Sequence, residues 1–302
     1  MPLPKLPGHS ALLARLGWAD PEAWMQLWRD RGGTGLAASA WPFAVSDDWL
    51  WGVGFPLLTA LEQACAGNER QLIALSGLPG CGKSSLATWI QEVSVVLELP
   101  IGVISLDDFY WPSAEMDQAL AGNPWDVPRA LPGSHDLACL NRCLDDWQRT
   151  GELHAPRFEK SLREGRGDRC GWTSVRAEVL LFEGWFLGAS PLASTGLDPV
   201  LTPDECSYRP TVLASLESYA PLWRRFSQLW HLRAPSVSST RVWKQQQEAL
   251  MQKRTGIRLP ERSFEQFLRM IETCLPQEAL QSIDQADFVV QLSDERVIRE
   301  LH

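Results

Sequence analysis

Gly77-Leu78-Pro79-Gly80-Cys81-Gly82-Lys83-Ser84 follows the apolar run Leu72-Ile73-Ala74-Leu75 and precedes Ser85-Leu86-Ala87-Thr88-Trp89-Ile90. The first of these stretches is a complete G-x-x-x-x-G-K-[ST] loop. Its glycines let successive backbone N–H groups turn into one concavity that suits phosphate oxygens. Lys83 can reach the outer phosphates as a point charge, and Ser84 can offer its hydroxyl to Mg²⁺. The apolar run before the loop reads as a buried parallel strand. The segment after it reads as a helix, whose N-terminal end adds partial positive charge where phosphates would lie. Strand, loop and helix in this order predict a nucleotide-phosphate site made by residues 77–84 together with Ser85. Cys81 fills a small-residue position in the loop, as an inert side chain or as an oxidisable thiol.

Working outward, Ile101-Gly102-Val103-Ile104-Ser105-Leu106 is a second strand, which completes a βαβ unit and ends in Asp107-Asp108-Phe109-Tyr110. Val179-Leu180-Leu181-Phe182 is a third, ending in Glu183-Gly184; Gln228–Leu232 and Phe288–Leu292 are further candidates. The pattern predicts an α/β fold of the P-loop NTPase type, a parallel sheet with helices on both faces. Residues 1–70 read as an N-terminal helical extension. There Asp20-Pro21-Glu22 starts a helix, Trp24 and Trp28 lie on a helix face, and Trp49 and Trp51 have the spacing of a strand face. Residues 71–302 read as the P-loop domain, with an insertion over about 108–178 and a possible lid over about 234–256. The insertion has one clear helix, capped by Ser134, with Leu137, Leu140, Leu144 and Trp147 as its buried stripe. So long an irregular segment points to function.

In open parallel sheets ligands bind at the carboxyl ends of the strands, and Asp107, Asp108 and Glu183 arrive there. Asp107 is the candidate base for an attacking hydroxyl; Asp108 is the alternative, or else caps the following turn. Glu183 ends an apolar strand as a Walker-B acid does, a place suited to holding Mg²⁺ through water. The candidate catalytic set is thus Asp107, Lys83 and Glu183, with Ser84 and Glu183 for the metal. Asp108, Tyr110, His135, Arg157, Lys160 and Arg166 are the candidate acceptor contacts, and Arg169 stands beside them. The cations could clamp a carboxylate or phosphate or be solvated surface charges, and His135 could equally serve the helix start. A polar helix from Ser239 carries Arg241, Lys244, Lys253 and Arg254, with Gly256 beyond it. These cations either meet the transferring phosphoryl group from a lid or line a solvated face.

Composition narrows the partners. The 302 residues are 45% hydrophobic and 22% charged, with a net charge of −9. That balance opposes a nucleic-acid partner, so the fifteen tryptophans read as core side chains and not as a stacking platform. Seven cysteines, an odd count with no C-x-x-C pair, suit a reduced intracellular protein. The proline-rich start is unlike a signal peptide, and no apolar stretch is long enough to span a membrane. A cytoplasmic protein, monomeric by default, is the expectation.

Taken together, several blocks resemble one family. They are the phosphate loop, Ser105–Tyr110, Leu131-Pro132-Gly133-Ser134-His135-Asp136-Leu137, Pro156-Arg157-Phe158-Glu159-Lys160-Ser161, Gly165-Arg166-Gly167-Asp168-Arg169 and Leu181-Phe182-Glu183-Gly184-Trp185. In this order, over roughly residues 70–290, they resemble the D-glycerate 3-kinases of plants and cyanobacteria and their fungal relatives. The wider group is similar to uridine kinase, phosphoribulokinase and pantothenate kinase, whose catalytic Asp at the end of the second strand maps to Asp107. The resemblance implies ATP-dependent phosphorylation of D-glycerate to 3-phospho-D-glycerate with Mg²⁺, a step of photorespiratory salvage. The N-terminal helices and the segment 234–256 match the pattern least.

Two other readings stand beside it. One is a kinase of another small acceptor, a nucleoside, pantothenate or a sugar phosphate, because acceptor choice lies outside the loop. The other is a nucleotide-binding regulatory protein without an acceptor; the chain lacks the N-K-x-D string of a GTPase switch, and no D-x-x-G follows any of the strands read above.

Overall fold

A computed structural model describes residues 5–37, 45–191, 200–255 and 260–302. Its strands are β1 (Gln71–Gly77), β2 (Ile101–Ser105), β3 (Glu152–Glu159), β4 (Asp168–Arg176), β5 (Val179–Gly184), β6 (Phe226–Arg233), β7 (Phe288–Leu292) and β8 (Ile298–Leu301). Helices α1 (His9–Arg15), α2 (Pro21–Asp30), α3 (Asp47–Trp49) and α4 (Phe55–Cys65) precede β1. Then come α5 (Lys83–Val96), α6 (Ser113–Ala119), α7 (Leu137–Thr150), α8 (Pro203–Glu217), α9 (Ala220–Trp223), α10 (Ser239–Thr255), α11 (Glu261–Thr273) and α12 (Gln277–Gln281). Gly256 lies outside the described residues.

The main sheet runs β2-β5-β1-β6-β7-β8. Every pairing in it is parallel except that of β7 with β8. Leu72 to Gly77, Val179 to Phe182 and Leu229 to Leu232 are buried at every successive position. Side chains alternate between faces, so both faces must be covered. The expected parallel α/β architecture is the one the chain forms. The antiparallel edge β8 and the separate ribbon β3–β4 are additions to the strands read from sequence.

The helices before β1 share one apolar cluster with the sheet, and α4 packs directly on β1 and β5. The indole N–H groups of Trp24 and Trp28 both donate to Thr59 Oγ1, at 3.0 and 3.1 Å. Trp49 and Trp51 are not on a strand. Trp49 ends α3 and Trp51 lies in a wide π-helical turn, Leu50–Gly54, that runs on into α4. Ser46 caps α3 by accepting from Trp49 N, and Asp47 and Asp48 favour its first turn. These local signals outweigh the alternation of two tryptophans.

The cap of α7 also differs from expectation. Asp136, not Ser134, accepts from Cys139 N at 2.9 Å. Ser134 lies two residues before the cap position, and its hydroxyl donates to Leu131 O at 2.6 Å within a tight turn.

Candidate functional site

The loop that leaves β1 lies between the ends of β5 and β6, because β1 pairs with both. Its turns need residues without a Cβ at two points. Gly80 and Gly82 have φ of +85° and +110°, and a Cβ on Gly80 would stand 2.7 Å from that of Trp243. The loop feeds α5 at Lys83, and among the described residues no side chain caps that helix. Its first N–H groups are therefore left for an anion. Leu78 and Cys81 are buried, Pro79 and Ser85 half-buried and Ser84 exposed. Lys83 is only 7% exposed. Burial pushes the Cys81 thiol up, and its Sγ faces Gly77, as suits a small space-filling residue and not a reactive one.

Across the neighbouring strands Ser105 stands level with Glu183. The Ser105 hydroxyl donates to Glu183 Oε1 at 2.8 Å, and Ser84 Oγ stands 3.5 Å from the same oxygen. One carboxylate and two hydroxyls converge beside the loop. They, with Asp108, line a groove of about 350 Å³. Among the described residues no cluster of three His, Cys, Asp or Glu side chains could hold a metal alone. This sparse donor set fits Mg²⁺, which keeps most of its waters and takes its remaining ligands from phosphates. A larger cavity, about 480 Å³, lies at the opposite end of the strands between Arg70, Trp147, Gln148 and Arg225. It is remote from the loop and is the wrong end of such a sheet for a nucleotide.

Asp107 sits in a short 3₁₀ turn, Leu106–Phe109, that follows β2. Ser105 Oγ accepts from Asp107 N at 3.2 Å, and Asp108 Oδ2 accepts from Ser105 N at 3.4 Å, a capping box. Asp108 also accepts from Phe158 N. Its carboxyl is turned to the backbone, and burial pushes its pKa up. Asp107, by contrast, presents its carboxylate to side chains. Lys160 Nζ donates to Oδ2 at 2.6 Å and the Tyr110 hydroxyl to Oδ1 at 2.8 Å. Burial raises the Asp107 pKa, but the Lys160 ammonium outweighs it. With help from the Tyr110 hydrogen bond, it holds the carboxyl well below the usual carboxylate range.

His135 is 2% exposed and stacks on Tyr110, ring centroids 4.5 Å apart. The Tyr219 hydroxyl accepts from Gly133 N at 3.0 Å and shares a hydrogen bond of 2.7 Å with His135 Nδ1. Burial lowers the His135 pKa to about 3. The ring is therefore neutral, and its Nε2 is a buried atom with no partner among the described residues. Tyr110, His135 and Lys160 are thus brought to Asp107. Arg157 is an exposed residue of β3. Arg166 pairs with Asp117 at 2.6 Å, and Arg163 meets the same carboxylate. Arg169 donates to Tyr110 O at 2.9 Å and pairs with Asp136 at 3.1 Å, which ties β4 to the turn beneath Asp107.

Two cations at this site escape the sequence reading. Arg129 donates to Gly165 O and Arg166 O at 2.6 and 2.8 Å and acts electrostatically on Lys160. Arg296, in the turn before β8, donates to Gly80 O at 2.7 Å. Neither lies in a recognisable motif. Arg129 comes just ahead of the Leu131–Leu137 block, the only local hint; Arg296 is 216 residues from its partner.

No family model matches the sequence. Over 196 residues the chain is 30% identical to the chloroplastic D-glycerate 3-kinase of Arabidopsis thaliana, covering 60% of this chain and 41% of that protein. It is 28% identical over 198 residues to an uncharacterised kinase of Schizosaccharomyces pombe, mug58, covering 61% of this chain and 72% of that one. The chain therefore spans about two fifths of the plant relative's length. Among solved structures it is similar to the D-glycerate 3-kinase of Cryptococcus neoformans. The TM-score is 0.70 at 20% identity, with 82% of this chain and 98% of that one covered. These likenesses bear out the resemblance to the D-glycerate 3-kinase family and the fold that goes with it.

Proposed function

From a chain allied in sequence to the D-glycerate 3-kinases and folded as they are, we propose an ATP-dependent kinase that phosphorylates the primary hydroxyl of D-glycerate to give 3-phospho-D-glycerate. One observation carries the reading. A carboxylate kept ionised by a lysine stands at the end of β2, one strand from the Glu183 end of β5 and its neighbouring phosphate loop.

In this reading residues 77–85 hold the triphosphate, and Lys83 neutralises its outer charge. Mg²⁺, held by Ser84 and through water by Glu183, would supply charge neutralisation at the phosphate oxygens. Asp107 orients the acceptor hydroxyl and takes its proton as the new O–P bond forms. Its depressed pKa makes it a weak base, which suits a loose transition state in which the hydroxyl gives up its proton late. Lys160 keeps Asp107 charged and is within reach of an acceptor carboxylate beside the hydroxyl. The neutral His135 ring adds no charge there and leaves its Nε2 unpartnered among the described residues.

The test is ADP release from Mg-ATP with no acceptor, then with D-glycerate, L-glycerate, uridine and pantothenate in turn. A many-fold rise with D-glycerate alone supports the assignment. A larger rise with another acceptor removes glycerate and leaves a kinase. A low rate that no acceptor changes removes the kinase reading in favour of a nucleotide-binding regulator.

A further inference from the structure

The segment expected as a lid carries four cations, and the structure treats them differently. Arg241 is taken by Glu265 and Glu272, at 2.7 and 3.1 Å. Lys253 is exposed near the end of α10, and the side chain of Arg254 lies outside the described residues. Lys244 follows Trp243, and Trp243 is fastened to the phosphate loop. Its ring is fully buried, and its Cβ stands 2.7 Å from where a Cβ on Gly80 would be, with Lys244 N 3.6 Å from that same point. Its indole N–H donates to Asp294 O at 2.5 Å, and its carbonyl accepts from Arg296 Nη2 at 3.3 Å. The same guanidinium binds Gly80 O. The first turns of α10 are thus locked against the loop.

The Lys244 ammonium is half-buried, held by a neutral amide, Gln247 Oε1 at 2.9 Å, and lies 5.5 Å from the Phe267 ring centroid. The charged groups that act on it are Glu248 from its own helix, Lys160 from the end of β3, Lys83 from the loop and Arg129 from the insertion. Three cations from three separate elements therefore surround a fourth, with one carboxylate among them. Lys83 belongs to the phosphate loop and Lys160 to Asp107. A cation that feels both lies near the loop and near the Asp107 carboxylate, within the region a phosphoryl group would cross from one to the other.

We infer that Lys244 is a further catalytic residue that binds the terminal phosphoryl group from a fixed position on α10. This rests on the reading that residues 77–84 hold a nucleoside triphosphate; it does not depend on which acceptor is used. Burial, aided by the three cations and opposed by Glu248, lowers the Lys244 pKa to about 8. Phosphate oxygens arriving beside it favour the ammonium and raise that value. Nucleotide binding at pH 8 must then draw a proton from solvent.

The test is calorimetric titration of the full chain with Mg²⁺ and a non-hydrolysable ATP analogue at pH 8, in two buffers of different ionisation enthalpy. The expected uptake is a substantial fraction of a proton, up to about half. Lys244→Arg should bind comparably without that uptake, because guanidinium does not titrate there. Lys244→Met should bind about ten- to a hundredfold more weakly, the loss of one charge-assisted contact, and also without uptake. Binding and uptake in Lys244→Met that match the unmodified chain would overturn this inference alone. Failure of the unmodified chain to bind the analogue would overturn the loop reading and this inference with it.

Discussion

Asp107 shows how two opposed effects are settled at one residue. Burial favours its protonated form, yet the ammonium at 2.6 Å wins. With the folded pKa depressed, the carboxylate's contribution to stability is present above about pH 4. It is lost as pH falls through the lower folded value. Activity should follow the same logic, with no acid limb from Asp107 anywhere above the ordinary carboxylate range. Asp107→Asn removes the proposed proton acceptor but preserves the shape. It should lower kcat by about 10²- to 10⁴-fold while leaving affinity for a non-hydrolysable ATP analogue nearly unchanged. Single-turnover phosphorylation of the acceptor checks this, and a near-normal rate would remove Asp107 from the chemistry. The different surroundings of Asp107 and Asp108 were only half legible in sequence. Both residues end the same strand, and only the capping box, which spends Asp108 on the backbone, separates them.

At the scale of elements, the strand–loop–helix unit was legible because its signals are local: an apolar run, glycines where φ turns positive, and a helix start. Gly80→Ala tests the tightest of these points. Positive φ costs a non-glycine residue about 1–2 kcal/mol, and the new Cβ would press on Trp243. The variant should be less stable by at least that amount in urea unfolding and should bind nucleotide more weakly. The ribbon β3–β4 was illegible for an equally physical reason. β4 is exposed along nearly its whole length and β3 contains Pro156, so neither strand shows the apolar run or the full alternation that marks a strand in sequence. Its purpose is positional. Lys160 follows β3, and Arg169 on β4 grips Tyr110 and Asp136. The surroundings of Asp107 therefore depend on a ribbon that composition alone does not announce.

Over the whole molecule, packing overrides what single residues would prefer in water. His135 and His231 are buried, and burial lowers both pKa values to about 3. In the unfolded chain each would take a proton near 6.5. Folding stability should thus be complete above about pH 6.5. It should fall below that by up to about 1.4 kcal/mol per pH unit for each ring. Urea midpoints measured from pH 7.5 down to 5 should show the slope, and His231→Phe should make it shallower whatever it does to the midpoint itself. The same compactness joins the most distant parts of the chain at the loop. The Trp49 indole donates to Arg296 O at 2.7 Å, Arg296 holds Gly80, and Trp243 lies against that glycine. Two indoles therefore flank the place where phosphate is expected to bind, each linked to the backbone that must receive it. The molecule carries its own optical reporter: nucleotide should shift the intrinsic emission on excitation near 295 nm, and Trp243→Phe should abolish most of that change.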